Sequence, residues 1–457
     1  MLERVTLVRN IVGVVVLTVS AAGILGDAGR IRTRQPHRGT SQHGSPWAPK
    51  AAMLEVGAGG VCRVPFVSSI DFGSALRLTR DANPASMPEI LAKAAAGLGA
   101  TDLVVYLVDF GQTVLEPMPD RAAHAEVPTT ESLATTMAGR AFIDQQVVTA
   151  AREDGVRVWI PVVEGSDHTG VVALTVPAVS DELLRTFEEL GILAGYLIAV
   201  HTRCTDLYTL YRRRRSMSLA ASMQWDLLPP LVLKAGNVAI AGLVQPAYDV
   251  GGDCFDYSVN GAFVDVAIID SMGHGLGAAR IASLAMGCYR HDRREGQTLA
   301  VMHRHLGSTI ASQYTDCSFA TGVLARLELD TGALTWTNAG HPPPLLIRDR
   351  QVIRELDCKP TPPWGIGTDD PFVASESLEP GDCLLLYTDG VTEARTSEGD
   401  FFGLERLVDL TNRHASLLLT PEALLRQLVR DVRDHTGQDD LADDATVVVV
   451  RWDGPGR

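Results

Sequence analysis

The stretch from Gln245 to Gly275 constrains the fold of this chain most, because it carries two aspartates, Asp253 and Asp270, beside glycines. Asp253 follows directly after Gly251-Gly252, and Asp270 ends the apolar run 264–269. Glycine permits tight bends, so we predict that each acid lies at the end of a strand next to a turn. Carboxylates placed in this way are typical ligands of magnesium or manganese, with coordination positions left for water and a substrate phosphate.

Two acidic sites further along the chain have the same setting. Asp389 follows the run Leu384–Thr388 and precedes a glycine, and the pair Asp443-Asp444 comes directly before an apolar, β-branched run. Aspartate is a favoured turn residue, so any one of these acids alone is equally well explained as part of a turn. Three such strand-edge sites together favour one cluster of cations.

These motifs resemble those of the type 2C, or PPM-type, metal-dependent protein serine/threonine phosphatases. The resemblance is to the bacterial branch that contains stage II sporulation protein E and RsbU-like regulators. It also includes the segments 338–346 (Asn-Ala-Gly-His-Pro-Pro-Pro-Leu-Leu), 379–395 and 402–407. It extends over residues 219–452, half of the chain in round terms. The resemblance implies an αββα sandwich phosphatase domain over residues 231–453.

The resemblance also implies a site with two ions, Mn²⁺ or Mg²⁺, in the catalytic domain. By the family pattern Asp253 and Asp270 are ligands, with the backbone carbonyl of Ser271 beside Asp270. Asp389 and Asp443 are then ligands of the second ion. These four aspartates are the expected catalytic residues, because two such ions acidify a water molecule and neutralise the phosphoryl oxygens.

Two further residues are weaker candidates. Asp444 stands where the related pattern has asparagine, which makes it the less favoured ligand of its pair. His274 is a weak general-acid candidate, because Met272 occupies the position at which the eukaryotic pattern has a histidine. Asn338 and His341 are expected to hold a loop near the site rather than to react.

The periodicity of the catalytic half agrees with two packed sheets flanked by helices. The overall fold class is predicted as α+β. The predicted strands are 238–243, 264–269, 320–329, 334–338, 383–387 and 446–450, and the predicted helices are 276–289, 297–314, 404–411 and 421–434.

Residues 69–200 have a different pattern, which predicts a compact α/β sensor domain. The order of its elements resembles a GAF domain. The sequence identifies no ligand for it, and a dimerisation module without a ligand is the alternative. Its predicted elements are a helix at 87–98, strands at 103–108, 113–118, 156–163 and 170–176, and a last helix that begins after the N-cap Ser180.

Residues 201–230 are predicted as a linker helix. It continues the preceding helix, so that one helix runs from Leu183 to Leu228 and ends at Pro229-Pro230. The four arginines 212–215 are interpreted as a solvated helix face rather than a nucleic-acid patch. The family resemblance implies that this helix carries a homodimer contact and a regulatory switch.

The first 52 residues differ from the rest in composition. An apolar run, 11–26, is followed by a basic run, 30–50, that is rich in Pro, Gly and Ser. The apolar run is shorter than the roughly 20 residues of a spanning helix. A signal sequence, a marginal membrane anchor and a helix without a role therefore all remain open. The expected substrates and the free thiols favour the cytoplasm.

The bulk composition excludes some classes of protein. A net charge of -15 argues against a protein that coats nucleic acid. The seven cysteines include no Cys-x-x-Cys pair, so neither a zinc site nor a disulfide framework is predicted. Cys254 lies beside Asp253, but no neighbouring residue is evident that would activate it as a nucleophile.

The sequence therefore predicts a phosphatase that removes phosphate from serine or threonine of a partner protein under the control of the sensor domain. By resemblance, the partner is a phosphorylated anti-sigma-factor antagonist of the STAS type. The alternative is a pseudophosphatase that acts as a non-catalytic signalling scaffold, although retention of all four acids argues against it. The sensor ligand, the partner, the oligomeric state and the choice between Mn²⁺ and Mg²⁺ stay open.

Overall fold

The computed structural model divides into two compact units, residues 1–68 and 69–457. The described residues are 5–9, 15–19, 54–56, 60–62, 77, 79–80 and 82–456, apart from 121–126, 250, 315–316, 360, 368–369, 418–419, 438–440 and 442.

The described part of the first unit consists of two short antiparallel hairpins. β1 (Val5–Arg9) pairs with β2 (Val15–Val19), and β3 (Leu54–Val56) pairs with β4 (Gly60–Cys62). Among the described residues of the whole chain, no helix has the length and apolar character that crossing a bilayer requires.

Of the three alternatives for residues 11–26, the helix without a role is wrong at residues 15–19, which form strand β2. This stretch is rich in valine, and β-branched side chains favour a strand. The rest of the apolar run and the basic run 30–50 lie outside the described residues.

The region predicted as a sensor folds into a six-stranded antiparallel sheet with helices on both faces. Across the sheet the strands are ordered 7-6-5-10-9-8. The elements are α1 (Met87–Ala96), β5 (Thr101–Val108), β6 (Val114–Pro117), β7 (Glu131–Ser132), α2 (Met137–Asp144), β8 (Val148–Arg152), β9 (Gly155–Glu164), β10 (Asp167–Val176) and α3 (Asp181–Thr202).

Two apolar clusters hold this region together. Leu91 of α1 and Phe187 of α3 are fully buried against one face of the sheet, and Phe142 of α2 is fully buried against the other. Helix α3 begins as predicted, because the Oγ of Ser180 accepts the N–H of Leu183 at 3.2 Å. All the predicted elements are present, whereas β7, α2 and β8 were not predicted. The assignment to the GAF family stays a prediction.

The linker is not one helix, so the predicted continuous helix from Leu183 to Leu228 is wrong. After α3 come two separate helices, α4 (Leu207–Tyr211) and α5 (Leu219–Leu227). Ser218 explains the second break: its Oγ caps α5, and its own N–H donates to the Tyr248 carbonyl at 2.8 Å. The backbone is thus bound to the catalytic half instead of continuing the helix.

The interpretation of the four arginines as a solvated helix face is wrong for Arg212. Its Nε donates to the Val108 carbonyl at 2.9 Å, and its guanidinium lies 4.5 Å from the centre of the Phe110 ring. Removal from water lowers the pKa of Arg212, while Asp167 and Asp109 act in the opposite direction. Arg212 therefore joins the linker to the sensor region.

The catalytic half contains two antiparallel sheets. Its elements are β11 (Val232–Ala235), β12 (Val238–Gln245), β13 (Asp253–Asn260), β14 (Phe263–Ser271), α6 (Leu276–Arg294), α7 (Leu299–Gln313), β15 (Ala320–Glu328), β16 (Ala333–Ala339), β17 (Leu345–Arg348), β18 (Gln351–Glu355), β19 (Ala374–Ser377), β20 (Cys383–Tyr387), α8 (Asp389–Thr392), α9 (Leu404–Leu417), α10 (Pro421–Thr436) and β21 (Ala445–Trp452).

The two sheets pack face to face, and helices cover both outer faces. One sheet has the strand order β11-β12-β21-β20-β17-β18, and the other β13-β14-β15-β16-β19. Helices α9 and α10 pack on the first sheet, and α6 and α7 on the second. The predicted αββα sandwich is confirmed, and each predicted strand and helix of this half is present. The strand 383–387 has the predicted bounds, and the other elements have altered ends. Strands β11, β13 and β17 to β19 and helix α8 were not predicted.

The two sheets approach each other closely where Gly242 of β12 faces Phe255 of β13. Phe255 is fully buried in the core shared by the sheets. A methyl group added at Gly242 would overlap the Phe255 ring. The absence of a side chain at position 242 is therefore a packing requirement.

Replacing Gly242 by alanine is expected to lower the free energy of unfolding by about 1–3 kcal/mol, the usual cost of overpacking a core. Urea unfolding of the purified protein measures this change. A second substitution, Phe255→Leu, should recover part of the loss because it empties the contested space. The matched control is Gly287→Ala on α6, where a Cβ meets no atom within 4 Å. Equal stability of the Gly242 and Gly287 variants would contradict this packing.

Candidate metal centre

Asp253 and Asp270 face each other across two neighbouring strands. Asp253 is the first residue of β13, Asp270 is the last but one of β14, and the two are direct partners in the antiparallel register. Side chains opposite each other in such a pair have Cβ atoms roughly 5 Å apart. Asp253 is buried and Asp270 half-buried. The prediction that both acids lie at strand ends is confirmed.

Asp389 and Asp443 belong to the other sheet. Strands β20 and β21 are antiparallel neighbours, so the end of β20 lies beside the start of β21. Asp389 follows β20 as the first residue of α8, and Asp443 comes shortly before β21. Both side chains are exposed.

The carboxyl groups are close enough to affect one another's ionisation. Burial, followed by the charges of Asp389 and Asp443, raises the pKa of Asp270 to about 7. Burial and the charge of Asp270 hold the pKa of Asp253 well above its usual range. Burial raises the pKa of Asp389 as well, with a contribution from Asp443. The four acids therefore surround one region instead of pointing to different faces of the molecule.

No basic side chain of the described residues forms an ion pair with this cluster. Buried aspartates elsewhere in the same sheets do have such partners: Asp256 pairs with Arg293 at 2.7 Å, and Asp265 pairs with Arg326 at 2.7 Å. Buried like charges without a counter-charge are costly. The cluster therefore carries negative charge that a cation can neutralise.

Hard divalent cations fit this donor set, which consists of oxygen atoms only. One of these, Oδ1 of Asp444, is buried without a hydrogen-bond partner among the described residues. The exposure of Asp389 and Asp443 leaves room for water and a phosphate group. As placed, no three acidic, His or Cys side chains of the described chain close around a single point.

Asp444 has a structural role that the sequence did not reveal. Its Oδ2 accepts the N–H of Asp253 at 3.0 Å and that of Gly252 at 2.5 Å. These bonds tie the start of β21 to the loop that carries Asp253. Burial raises the pKa of Asp444 to about 6, although these backbone hydrogen bonds act in the opposite direction. With one oxygen engaged in this way, Asp444 stays the less favoured ligand of its pair.

Two further side chains support Asp253, and neither was predicted. Thr388, fully buried, donates to Oδ2 of Asp253 at 2.7 Å, and its Oγ1 accepts the N–H of Thr446 at 2.9 Å. Gln224 of α5 donates to the backbone carbonyl of Asp253 at 2.7 Å. The one sequence signal for Thr388 was its position beside Asp389, and there was none for Gln224.

Ser271 and His274 lie at the turn between β14 and α6. Ser271 is buried, and its carbonyl oxygen lies close to Gly252. Gly273 and Gly275 have φ angles of 86° and 71°, the left-handed conformation that favours glycine. His274 is exposed to solvent. The predicted roles of Ser271 as a carbonyl ligand and of His274 as a weak acid stay predictions.

The residues that were not expected to take part in the reaction are buried or hydrogen-bonded within the fold. Asn338 clamps its loop through two hydrogen bonds with the backbone of His341, each 2.8 Å long. Burial lowers the pKa of His341 to about 3, so its ring is neutral at pH 7. Cys254 is fully buried, and burial raises the pKa of its thiol well above the usual value. A thiolate nucleophile at this position is therefore disfavoured.

A comparison with family models identifies the catalytic half. Residues 261–453 match the model of the family described as stage II sporulation protein E (SpoIIE). Residues 261–453 form a SpoIIE-family domain. The prediction of a PPM-type protein serine/threonine phosphatase from this branch is confirmed at the level of the family.

Relatives by sequence extend beyond this range. The chain is 24% identical over 292 residues to phosphoserine phosphatase RsbU of Bacillus subtilis. This alignment covers 63% of this chain and 85% of RsbU. It is 26% identical over 190 residues to phosphoserine phosphatase RsbP of the same organism, covering 40% of this chain and 47% of RsbP.

Parts of this chain also align with solved structures. The RsbU and RsbW domains of a Mycobacterium tuberculosis protein align with 26% identity and a TM-score of 0.42, over 50% of this chain and 63% of that one. The phosphatase domain of SpoIIE from Bacillus subtilis, with a fragment of its regulatory domain, aligns with 18% identity and a TM-score of 0.42, over 68% and 83%.

Replacing Asp270 by asparagine is expected to make the metal-free protein more stable at pH 8. A carboxyl group whose pKa is raised by folding stabilises the folded state while it is protonated. This stabilising contribution is lost as the pH rises through about 7, the pKa of Asp270. The side chain of asparagine does not ionise, so the variant shows no such loss. Thermal unfolding in EDTA at pH 5.5 and pH 8 measures the effect. The melting temperature of the wild type should fall more between these pH values than that of the variant.

The control for this experiment is Asp370→Asn, which changes an exposed aspartate paired with Arg304 outside the cluster. It should keep the pH dependence of the wild type. If Asp270→Asn kept that dependence too, the carboxylates would not be coupled as described.

Proposed function

We propose that this chain is a metal-dependent phosphatase that hydrolyses phosphoserine or phosphothreonine on a partner protein. The observation that carries the proposal is the convergence of Asp253, Asp270, Asp389 and Asp443 without a basic partner among the described residues. The match of residues 261–453 to the SpoIIE family model supports it. A phosphate monoester is a dianion, so its hydrolysis needs cations in a site of this kind.

In this proposal Asp253 and Asp270 hold one ion, beside the Ser271 carbonyl, and Asp389 and Asp443 hold a second. Mn²⁺ and Mg²⁺ both suit an all-oxygen site. Two such ions, when bound, lower the pKa of a water molecule and neutralise the phosphoryl oxygens.

The protein itself contributes orientation. The hydrogen bond from Thr388 fixes Oδ2 of Asp253. The other carboxylate oxygen, Oδ1, is not held by this bond. Asp444 fixes the loop that leads into β13. Asp389 and Asp443 are exposed, so a phosphorylated side chain of a partner reaches the centre from their side. Support of this kind around a ligand commonly changes metal affinity or activity 10–100-fold.

The proposed partner is a phosphorylated anti-sigma-factor antagonist of the STAS type. The support is the resemblance to RsbU-like regulators and the similarity to two proteins named as phosphoserine phosphatases, RsbU and RsbP. We place this reaction in the cytoplasm, where such a partner would act. Fractionation of a tagged protein tests both the location and a possible attachment to the membrane through residues 11–26.

Replacing Asp389 by alanine is expected to reduce Mn²⁺-dependent phosphate release from a phosphorylated STAS-type antagonist at least about 100-fold, because the change removes a ligand. The melting temperature should change little, since Asp389 is exposed. A colorimetric phosphate assay measures the rate, and Asp370→Ala is the control with full activity.

The alternative function, a pseudophosphatase scaffold, predicts a different result in the same assay. The wild type would then bind the phosphorylated partner but release no phosphate with Mn²⁺ or Mg²⁺. Turnover of generic phosphate esters without preference for a phosphoprotein would contradict the proposed protein substrate.

We further propose that the GAF-like sensor region controls the centre through α5. Gln224 on this helix bonds the backbone of Asp253 at 2.7 Å. At Gly251 a side chain would collide with the backbone of Ala220, so the helix packs directly on the loop before Asp253. A displacement of α5 therefore alters the position of a metal ligand.

Replacing Gln224 by alanine is expected to weaken the activation of the enzyme by Mn²⁺ about tenfold, because Asp253 loses a bond that orients its backbone. The Mn²⁺ concentration at half-maximal activity measures this. Asp226→Ala, an exposed change on the same helix, is the control and should leave that concentration unchanged. An unchanged value for the Gln224 variant would contradict control through this contact.

A homodimer through α3 and the linker is also proposed. Ile192, Tyr196 and Val200 are spaced four residues apart on α3 and are 48%, 54% and 63% exposed, which makes one apolar stripe. Leu219 on α5 is exposed to 64%. Sedimentation equilibrium tests this, and a monomer at all concentrations would contradict it.

A further inference from the structure

A basic cleft lies between the sensor region and the catalytic half. Its volume is about 1150 Å³, and its walls carry five arginines against two aspartates. The whole chain has a net charge of -15, so the charge of the cleft is opposite to that of the protein. The arginines are Arg214, Arg215, Arg426, Arg430 and Arg433.

One face of α10 supplies three of these arginines. Arg426, Arg430 and Arg433 are spaced by four and three residues, the spacing that places side chains on one side of a helix. Arg433 also joins the two walls, because its Nη2 donates to the Gly111 carbonyl at 3.2 Å and to Oε1 of Gln245 at 2.5 Å. The cleft is therefore built from both halves of the chain.

One of the two aspartates of the cleft, Asp109, is engaged in hydrogen bonds away from the arginines. The carboxylate of Asp109 is engaged in its own turn, where it accepts the N–H groups of Gly111, Thr113 and Val114 at 3.0, 2.7 and 2.9 Å. Asp434, the second aspartate, is exposed.

Two arginines of the cleft have protein partners and can still bind an anion. Arg214 pairs with Glu116 at 3.3 Å but stays half exposed. Arg426 donates to Nδ1 of His168 at 3.2 Å, and burial lowers the pKa of His168 to about 3, so this partner is uncharged at pH 7. The charge of Arg426 is not cancelled by that bond.

Apolar side chains form another part of the cleft wall, beside the polar Gln112, Thr113 and Gln245. Leu133, Ile143, Leu243 and Val429 line it, and Tyr248 presents a ring with the Arg215 guanidinium 4.8 Å from its centre. A ligand that suits such a surface has a flat or apolar part beside its charged part.

We propose that this cleft binds a small organic anion with two or more phosphate groups, the chemical class to which nucleoside diphosphates and triphosphates belong. The planar guanidinium groups of arginine match phosphate oxygens in pairs, and several arginines on one helix face match several phosphate groups. The volume of the cleft, about 1150 Å³, lies just above the usual range of small-molecule sites, and its concave shape favours such a ligand over a protein surface. The site is distinct from the metal centre, which is built from aspartates.

Isothermal titration calorimetry of the full chain with ADP and with pyrophosphate tests the proposal. EDTA is present throughout, so that phosphate cannot bind through metal ions, and the result does not depend on phosphatase activity. ADP should bind, and pyrophosphate should bind more weakly. Arg430→Glu should weaken ADP binding about tenfold or more, because it replaces a cation by an anion at an exposed position. Arg413→Glu on α9 is the matched control and should bind as the wild type does.

Several outcomes would overturn this assignment. They are no binding of ADP at millimolar concentration, equal binding by the Arg430→Glu variant, and preference for an acidic peptide over ADP. Equal affinity for pyrophosphate and ADP would remove the role given to the apolar wall. If Arg430→Glu proves unstable in thermal unfolding, Arg430→Gln gives the same test with a smaller change, and undiminished binding by it would overturn the proposal.

Discussion

Repulsion among like charges is the constraint on which the catalytic half depends. Asp253, Asp270, Asp389 and Asp443 stand where both sheets end. After burial, the charge of Asp270 raises the pKa of Asp253, and the charges of Asp389 and Asp443 raise that of Asp270. This arrangement opposes folding at neutral pH, so it requires a frame that holds the strand ends in place. Ile268 of β14 and Val448 of β21 are fully buried next to these ends and belong to the core that both sheets share. The core fixes the acids, and in the proposed function a cation would neutralise their charge.

Much of this frame was predictable, because its signals are local. Asp270 and Asp389 each follow an apolar run, and the glycines beside them mark the turns, so their positions at strand ends could be read from neighbouring residues. The supporting contacts could not be predicted. The bond from Thr388 to Asp253 joins residues 135 positions apart, and that from Gln224 spans 29 positions. Such partners are brought together only by the packing of the two sheets.

The failed linker prediction has a physical cause of the same kind. Helical propensity described α3, α4 and α5 individually, but hydrogen bonds to other parts of the chain decide where a helix stops. Arg212 turns towards the carbonyl of Val108, and Ser218 towards that of Tyr248. The missed strands β17 to β19 are only four or five residues long. Most residues of β18 and β19 are polar or charged and do not alternate with apolar ones, so their pattern in the sequence was weak.

One loop connects the two charged regions of the molecule. Gln245 and Tyr248 line the basic cleft, and a few residues later the same chain reaches Asp253 of the acidic centre. Asp444 and Gln224 bond the end of this loop at Asp253, while Ser218 bonds the carbonyl of Tyr248. The loop therefore has contacts with β21, α5 and the linker within ten residues of sequence. The ligand proposed for the cleft and the proposed movement of the linker would act on the same short segment, so both could affect the proposed metal ligands without a long path through the core.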